Sequence, residues 1–427
     1  QKTGLFIFVI NQGSLLSAGG HHCSFKLRSV LKDYLPIKFK INMTDKNEKN
    51  NSIPRGYKPE DTKSRLEWLK DTQGFELKDL PEDNTEELKG IIENHVGFMK
   101  IPMAIVGPAS INGQYAKGKF SIPICTIEGT LAASMNRGLY ATSLCGGINV
   151  KHYRQELSRA PIFIFDEISK MQDFQVWVTK NADEIIKAAQ TTSRYGKILR
   201  IDQYAIQNYV ILDIVLDTGN AAGQNMVTLA AKVACDFIKE KTGHNFLLES
   251  NLNSDKKASY RNIILGRGHG VIAETHLSDS VLSRVLNIDP DFLNKVWHFF
   301  PIVSAMAGTH GNGIHISNAL TAIYLATGQD TACVAENSVG HITMDRVTDG
   351  IIFRLTLPSL TVGTVGGGTR LNLQQQNLQL LGCDNSEHSS RKLAEIIASA
   401  TIGLEISLLS AIASHTWTSA HMKYGRK

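Results

Sequence analysis

The sequence predicts an α+β fold in which a large mixed α/β domain carries a small inserted α+β unit. The small unit is indicated by a strand–helix–strand–helix order within a stretch of about 85 residues. Its segments are 162–165, 181–189, 209–216 and 225–239. The larger domain is indicated by segments rich in Ala, Leu and Ile with helical spacing, at 318–326 and 391–414, which would supply its core.

The N-terminal part of the chain carries weaker signals. Residues 1–62 are expected to be a disordered or ill-defined extension, because the first methionine is Met43 and residues 44–62 are mostly polar. Residues 63–92 predict a helix, a turn at Leu80-Pro81-Glu82-Asp83 and a second helix.

Composition narrows the classes of function. The formal net charge of +5 suits a pocket for a phosphorylated cofactor and is too weak to indicate nucleic-acid binding. The six cysteines form no C-x-x-C pair, which argues against a zinc ribbon or a disulfide framework. No apolar run approaches the roughly 20 residues of a membrane span. We therefore expect a cytoplasmic protein with no metal and no membrane span.

Two segments have the character of ligand-binding loops. Thr361–Thr369 contains four glycines within six residues, so its backbone N–H groups can approach an anionic or planar ligand closely. Gly219–Met226 follows a predicted strand and opens a predicted helix, which suits a phosphate at a helix N-terminus. Its sequence is not G-x-G-x-x-G, so a Rossmann dinucleotide site is not indicated.

Four ionisable residues stand out, and each has a structural and a functional interpretation. Glu128 is either an exposed acid at a helix start or a buried acid of raised pKa. Lys256 is either part of a solvated charge cluster or an ammonium fixed near a developing oxyanion. Asp330 is either a simple loop acid after a helix or a residue that orients Lys256. His421 is either a mobile terminal histidine or a proton donor on a terminal flap.

Thr192-Ser193-Arg194-Tyr195 combines hydroxyls, a guanidinium and an aromatic ring. It is either an ordinary surface segment or a site for an adenosine 2′-phosphate.

Taken together, these segments resemble the 3-hydroxy-3-methylglutaryl-coenzyme A reductase family from about Glu93 to Arg426. The matching segments are Glu93–Gly97, Val106–Pro108, the segment around Glu128, Asp255–Lys257, Gly266–Gly268, Ala322–Asp330, Gly363–Thr369 and Ala420–Met422. Their number and order make a chance match very improbable, and they favour the functional interpretation of each residue.

The resemblance implies the reduction of 3-hydroxy-3-methylglutaryl-CoA to mevalonate and free CoA with two hydrides from NADPH. It implies that Lys256 stabilises the oxyanions of the hemithioacetal and the aldehyde, and that Glu128 donates a proton to the aldehyde oxygen. Asp330 would keep the lysine–glutamate network in register, and His421 would protonate the departing thiolate.

The resemblance also implies two sets of binding residues. Arg159 would bind the substrate carboxylate, and the other substrate residues would be Asn251, Asp255, Lys257, His315 and Asn318. Ser193, Arg194, Tyr195 and the terminal Arg426 would grip the 2′-phosphate, which favours NADPH over NADH. The remaining cofactor residues would be Asn220, Gly223, Gln224, Asn225, Gly366 and Gly367.

The family fold would make residues 161–247 a small ferredoxin-like, NADP-binding domain, with 93–160 and 248–427 forming the large domain. The implied assembly is a homodimer, or a dimer of dimers, with the active site between subunits. The chain resembles the first class of the family more than the second. Asn220 stands where the family usually has aspartate, and Gly313 where it has asparagine. Another β-hydroxyacyl thioester as substrate, or a non-catalytic CoA- or nucleotide-binding homologue, are therefore the alternatives.

Overall fold

A computed structural model describes residues 53–56, 58–74, 76, 85–384 and 386–414. His421, Arg426 and most of the N-terminal extension lie outside these ranges. Ten strands join in one sheet within the described residues. They are β1 (Met103–Asn112), β2 (Lys117–Cys125), β3 (Ile148–Arg159), β4 (Ile162–Ile164), β5 (Lys197–Ile206), β6 (Tyr209–Asp217), β7 (Phe246–Leu247), β8 (Gly268–Ser278), β9 (His341–Val347) and β10 (Gly350–Leu360).

The α-helices of the described residues lie on or between these strands. They are α1 (Pro59–Gln73), α2 (Leu131–Leu144), α3 (Ile168–Lys180), α4 (Ala182–Gln190), α5 (Gln224–Thr242), α6 (Tyr260–Ile264), α7 (Asp279–Arg284), α8 (Pro290–Trp297), α9 (Phe300–Met306), α10 (Ile316–Thr327), α11 (Val334–Asn337), α12 (Asn372–Leu380) and α13 (Ser389–Ala413).

The larger of two hydrophobic cores surrounds α13. This helix packs against α2, α10 and the antiparallel strands β3, β8 and β10, whose inward side chains are mostly Val, Ile and Leu. Gly138 of α2 and Gly403 of α13 allow close contact, since a Cβ on Gly138 would lie 1.8 Å from the Gly403 carbonyl oxygen. The helix is long and apolar enough to span a bilayer, but 89% of its most apolar window is buried inside the protein. We therefore interpret it as a core helix.

The second core is formed by residues 157–248. Its elements follow the order β4, α3 with α4, β5, β6, α5, β7, and its antiparallel strands lie in the order β7–β4–β6–β5. This βαββαβ arrangement is the ferredoxin-like pattern. The long strand β3 joins the two cores, because its first part pairs with β8 and its last residues pair with β6.

The elements predicted from periodicity are present: the two strands and two helices of the small unit, α10, and the long α13. Within the small unit three elements were not predicted, α3, β5 and β7, and in the large domain the long strands β3, β8 and β10 were not predicted either. The second helix predicted within 63–92 is wrong where it is described, because residues 85–88 form a single 3₁₀ turn.

Candidate active site

The loop of Lys256, between β7 and α6, has an unusual backbone. Asn251, Ser254 and Lys256 all adopt positive φ, at 71°, 57° and 55°. A side chain in this left-handed region costs about 1–2 kcal/mol, and such residues concentrate at functional sites. Three of them within six residues mean that the surrounding structure imposes the shape of this loop.

Glu336, a residue of α11, is the main anchor of the loop. Its carboxylate is fully buried and accepts hydrogen bonds from the Lys256 backbone N–H at 2.5 Å, from Arg267 Nε at 3.0 Å and from the Thr361 hydroxyl. Burial raises the pKa of Glu336, and the Arg267 guanidinium opposes that rise. The anchor therefore joins the lysine backbone to the base of the glycine-rich loop, which begins at Thr361.

Arginines hold the other side of the loop. The fully buried guanidinium of Arg267 donates to Asp255 at 3.0 Å and to the Ser158 carbonyl at 3.1 Å. Arg159, at the end of β3, pairs with Glu249 and lies 3.6 Å from Asp255. The predicted substrate residues Arg159 and Asp255 are thus in contact in the structure.

The Lys256 ammonium forms an ion pair with Asp330 at 2.8 Å. Both side chains remain about two-fifths exposed, so the pair faces an accessible space. The hydrogen bond that the ammonium donates to Asp330 raises the pKa of Lys256, which keeps the amine cationic. The other Asp330 oxygen accepts the Ala332 backbone N–H at 3.0 Å. Two of the four predicted catalytic residues are therefore brought together by the fold.

The two predicted ligand loops also meet. The Thr364 N–H donates to the Asn220 carbonyl at 2.8 Å, and Ala221 pairs with Val365 in a short parallel bridge. A Cβ on Gly363 would lie 2.3 Å from the Ala222 nitrogen, so only glycine permits this approach. Among the described residues, no atom lies within 4 Å of the position that a Cβ would take on Gly366 or Gly367, so these two glycines present an uncovered backbone.

Hydrogen bonds connect this junction to the lysine–aspartate pair. The side-chain oxygen of Gln329 accepts the Gly363 N–H at 2.9 Å, and Asp330 is the next residue. Gln224, the first residue of α5, donates to the Cys333 sulfur at 2.9 Å. Both contacts place Asp330 beside the predicted cofactor loops.

Asn220 ties the same junction to the start of α13. Its amide nitrogen donates to the Ser386 carbonyl at 3.0 Å, and its amide oxygen accepts the Ser390 N–H at 3.3 Å. Only an amide can make both bonds, since a carboxylate has no donor at neutral pH. Asparagine at position 220 therefore makes a hydrogen bond to the Ser386 carbonyl that aspartate could not make.

Ser193, Arg194 and Tyr195 lie in the turn between α4 and β5. The Ser193 hydroxyl accepts the N–H groups of Tyr195 at 3.1 Å and Gly196 at 2.9 Å. The Arg194 guanidinium lies 5.5 Å from the centre of the Tyr195 ring, which is part of a residue that is 78% exposed. The trio presents a cation and a ring to solvent on an ordered turn.

Three other predicted site residues, Glu128, His315 and Asn318, do not lie beside the Lys256–Asp330 pair of the same chain. Glu128 is exposed, and within residues 85–384 the Lys256 ion pair is with Asp330 and not with Glu128. His315 and Asn318 lie at the start of α10, whereas Asp330 follows its end. At 1.5 Å per residue, the 12-residue helix separates them by about 18 Å.

Four other predicted residues lie in the same two loops, and two of them make contacts within the chain. The Asn251 N–H donates to Glu249 at 2.6 Å, and the Lys257 ammonium donates to the Asp255 carbonyl at 2.8 Å. Asn225 is exposed in the first turn of α5, and Gly223 begins that helix with a φ of 88°. Sequence reasoning missed Glu336 as a site residue. No local motif marks it, and only its contact with the Lys256 backbone identifies it.

Comparison with known proteins shows which family the chain belongs to. A family model described as hydroxymethylglutaryl-coenzyme A reductase matches residues 61–426. The chain belongs to this family. The family members similar to it include a 3-hydroxy-3-methylglutaryl-coenzyme A reductase of Methanocaldococcus jannaschii, 36% identical over 377 residues and covering 86% of this chain and 93% of the relative. The reductase of the same name from Aeropyrum pernix is 39% identical over 343 residues, covering 78% and 82%.

Solved reductases of the family have a similar fold. A class II 3-hydroxy-3-methylglutaryl-CoA reductase from Streptococcus pneumoniae, solved with NADPH in open conformations, has a TM-score of 0.62 and 21% identity. It covers 82% of this chain and 96% of its own. This likeness confirms the predicted α+β fold. At 21% identity it does not show which class of the family the chain belongs to, so the assignment to the first class stays a prediction.

Proposed function

We propose that this reductase-family chain catalyses the NADPH-dependent, four-electron reduction of 3-hydroxy-3-methylglutaryl-CoA to mevalonate and free CoA. The observation that carries the proposal is the Lys256–Asp330 ion pair at 2.8 Å, beside the junction of two glycine-containing loops. An ammonium held by a carboxylate is suited to neutralising negative charge on a reacting carbonyl oxygen. The loops provide backbone donors for a phosphorylated cofactor next to that cation.

The chemistry assigned to Lys256 follows from its surroundings. Its ammonium remains charged, because the hydrogen bond that it donates to Asp330 raises its pKa. Its backbone is fixed by a buried carboxylate, so the amine needs little reorganisation when an oxyanion develops. We infer that Lys256 stabilises the hemithioacetal and aldehyde oxyanions and that Asp330 orients it.

The cofactor residues fit a phosphorylated dinucleotide. Gly366 and Gly367 leave open space above their backbone, and α5 begins at Gly223 with backbone N–H groups that can bind an anion. Arg194 offers an exposed guanidinium for a 2′-phosphate. When bound, NADPH supplies the hydrides. The chain's own residues orient the cofactor and hold the reacting oxygen.

Arg159 fits the predicted role in binding the substrate carboxylate. Its side chain is 11% exposed and is paired with Glu249 and Asp255 through one terminal nitrogen. Its Nε is buried and has no hydrogen-bond partner in the described part of the chain. The second terminal nitrogen, which takes no part in either ion pair, is therefore the atom that an added carboxylate would bind.

We further infer that two subunits complete each site. The ends of α10, separated by about 18 Å, are too far apart for one acyl group to touch both His315 and Asp330. Glu128 is exposed, so a neighbouring subunit can reach it. The proposed assembly is a homodimer. In each of its sites, Lys256 and Asp330 of one chain lie beside Glu128, His315 and Asn318 of the other.

Mixed dimers test this arrangement. The variants Lys256→Met and Asn318→Ala are each expected to be nearly inactive as pure homodimers. If the site is shared, the mixed dimer contains one site with both defects and one intact site, so activity returns on mixing. Equally low activity after subunits have exchanged would contradict the shared site, and mixing Lys256→Met with Asp330→Asn is the control that should not recover.

A steady-state assay tests the function itself. Purified full-length protein should oxidise about two NADPH per mevalonate formed, because four electrons correspond to two hydrides. Parallel assays with NADH and with other β-hydroxyacyl thioesters define cofactor and substrate preference by kcat/KM. Folded protein that binds the thioester without turnover would instead favour a non-catalytic CoA-binding role.

The cysteines fit the proposed location. The five in the described ranges, Cys125, Cys145, Cys235, Cys333 and Cys383, are all free thiols. Free thiols of this kind persist in a reducing compartment. We therefore propose a cytoplasmic enzyme.

A further inference from the structure

Two glutamates on α13 have carboxylates buried in the large core. Glu395 is 0% and Glu405 1% exposed. Neither forms an ion pair within residues 85–384 and 386–414. Their hydrogen bonds run instead to backbone N–H groups of loops distant in sequence. Because a buried carboxylate without a cation is costly, each of these contacts calls for a reason.

Glu405 binds the start of α10. One of its oxygens accepts the Ile314 N–H at 2.7 Å and the other accepts the His315 N–H at 2.7 Å. His315 is the N-cap residue of this helix, and its own side chain does not cap it. These two N–H groups lie just before the first turn of α10, and negative charge is favourable at that end of a helix. Glu405 therefore anchors the residues that lead into the helix.

The contact requires two acceptor oxygens at once. Among side chains, only a carboxylate offers two acceptors and no donor, whereas glutamine offers one acceptor and an NH₂ group. Burial raises the pKa of Glu405 to about 7, and the two backbone donors lower it. The protein therefore keeps an acid in its apolar core at a site where the backbone needs both oxygens.

We propose that Glu405 is a positioning residue for substrate binding, which fixes His315 and the adjoining first turn of α10. The inference rests on the proposed function, in which His315 and Asn318 contact the acyl substrate. Asp330, beyond the other end of α10, has separate anchors in Lys256 and the Ala332 N–H. Loss of the hydrogen bonds that Glu405 accepts should therefore weaken substrate binding more than it slows the chemical step.

Glu395 provides a matched control on the same helix. Its carboxylate accepts the N–H groups of Gln114, Tyr115 and Ala116 at 3.2, 2.9 and 2.6 Å, in the turn between β1 and β2. Burial raises its pKa as well. Glu395→Gln thus also replaces a buried carboxylate of α13 by an amide, but it does not alter a contact of His315.

The experiment compares Glu405→Gln with Glu395→Gln in the full chain. In Glu405→Gln one of the two N–H groups loses its acceptor, and KM for the thioester should rise about tenfold. In the same variant kcat should stay within about twofold and KM for NADPH should not change. Glu395→Gln should leave KM for the thioester unchanged, although both variants lose thermal stability. Glu405→Asp, which keeps both oxygens on a shorter stem, should fall between wild type and Glu405→Gln.

Amide hydrogen exchange gives a readout that does not depend on turnover. Glu405→Gln should speed exchange at 312–318, and Glu395→Gln at 112–117. An unchanged KM for the thioester in folded Glu405→Gln, or an equal rise in Glu395→Gln, would overturn the positioning role. If Glu405→Gln does not fold, Glu405→Asp decides, and wild-type KM with wild-type exchange there also overturns it. An inactive wild-type chain would defeat the proposed function instead, while exchange still tests the anchor.

Discussion

The loop of Lys256 and the turn of Ser193–Tyr195 form two ends of the proposed site and are built in opposite ways. The Lys256 loop is held in left-handed backbone conformations by fully buried Glu336 and Arg267. The turn is held by the Ser193 hydroxyl and by the Gln190 side chain of α4, which donates to the Ser193 and Gly196 carbonyls at 2.8 and 2.7 Å, and its arginine contacts an exposed ring. One end is fixed by fully buried charged residues, whereas the other is held by uncharged groups close to it in sequence.

The difference follows from what each end is proposed to do. Stabilising charge in a transition state requires a group that is already in place, and a buried anchor provides that. Gripping a phosphate at the outer end of a cofactor requires charge and donors but tolerates adjustment. If this interpretation is correct, changes in the Lys256 loop should lower kcat, and changes in the turn should raise KM for NADPH.

The largest effect is expected from Lys256→Met, which removes the ammonium but keeps the length of the stem. Loss of one donor to a developing oxyanion costs about 10²–10³-fold in kcat. Lys232, paired with Asp236 at 2.5 Å on the exposed face of α5, gives the control. Lys232→Met should retain full kcat, and a Lys256→Met enzyme with similar kcat would refute the assigned role.

Glu336→Gln should have the next largest effect, because it weakens the hold on the Lys256 backbone. We expect kcat to fall roughly 10- to 100-fold, since small displacements of a catalytic group are costly. Glu395→Gln, which also alters a buried carboxylate, should keep wild-type kcat. Equal losses in the two variants would mean that general destabilisation, and not the lysine anchor, lowers the rate.

The same variant has a signature in the pH dependence of stability. The pKa of Glu336 is raised in the folded state from its ordinary value of 4.5. The folded protein therefore binds this proton more tightly than the unfolded chain does. The resulting contribution to the free energy of unfolding is present below pH 4.5 and is lost as pH rises through the folded-state pKa. Glu336→Gln should remove this decline, which denaturant unfolding at a series of pH values would detect.

Sequence periodicity was sufficient for the helices α10 and α13 and insufficient for α3. In α3, the residues Ile168–Lys180 include β-branched and aromatic side chains of weak helix propensity. Its buried face is nevertheless spaced helically, at Met171, Phe174 and Val178, and this spacing could have revealed it. Helical spacing of the apolar residues was therefore a better guide to α3 than residue propensity.

The site divides in a similar way. Residue type and local spacing predicted the two ligand loops, which meet in the structure, whereas the family resemblance implied the roles of Lys256 and Asp330, which form an ion pair. Glu336 could not be identified, since its partner Lys256 is 80 residues away and nothing in its own segment is distinctive. The role of Glu405 is hidden for the same reason, because a glutamate within an apolar helix shows no target until the fold places a loop beside it.

At the other end of the comparison, Arg194→Gln should affect cofactor binding and not chemistry. A charged hydrogen bond to a phosphate contributes about 1.5–3 kcal/mol, and exposure reduces that value, so KM for NADPH should rise about tenfold. KM for NADH, which has no 2′-phosphate, should not change. Arg200→Gln, in the same small core but paired with Glu156 and Asp202, is the control that should leave the NADPH preference intact.

The smallest effect is expected from Ser193→Ala. This variant tests whether NADPH binding depends on the hydrogen bonds that order the turn. The Ser193 hydroxyl accepts two N–H groups, so its loss frees the turn that presents Arg194 and Tyr195. Because those N–H groups can bind water instead, the cost is about 1 kcal/mol, or roughly a fivefold rise in KM for NADPH. Thr191→Ala, which removes a hydroxyl bonded to the Ala188 carbonyl one turn earlier, should not change that constant. A rise in Ser193→Ala as large as in Arg194→Gln, with NADH unaffected, would show that Ser193 itself binds the phosphate, and the turn would then belong with the preorganised end of the site.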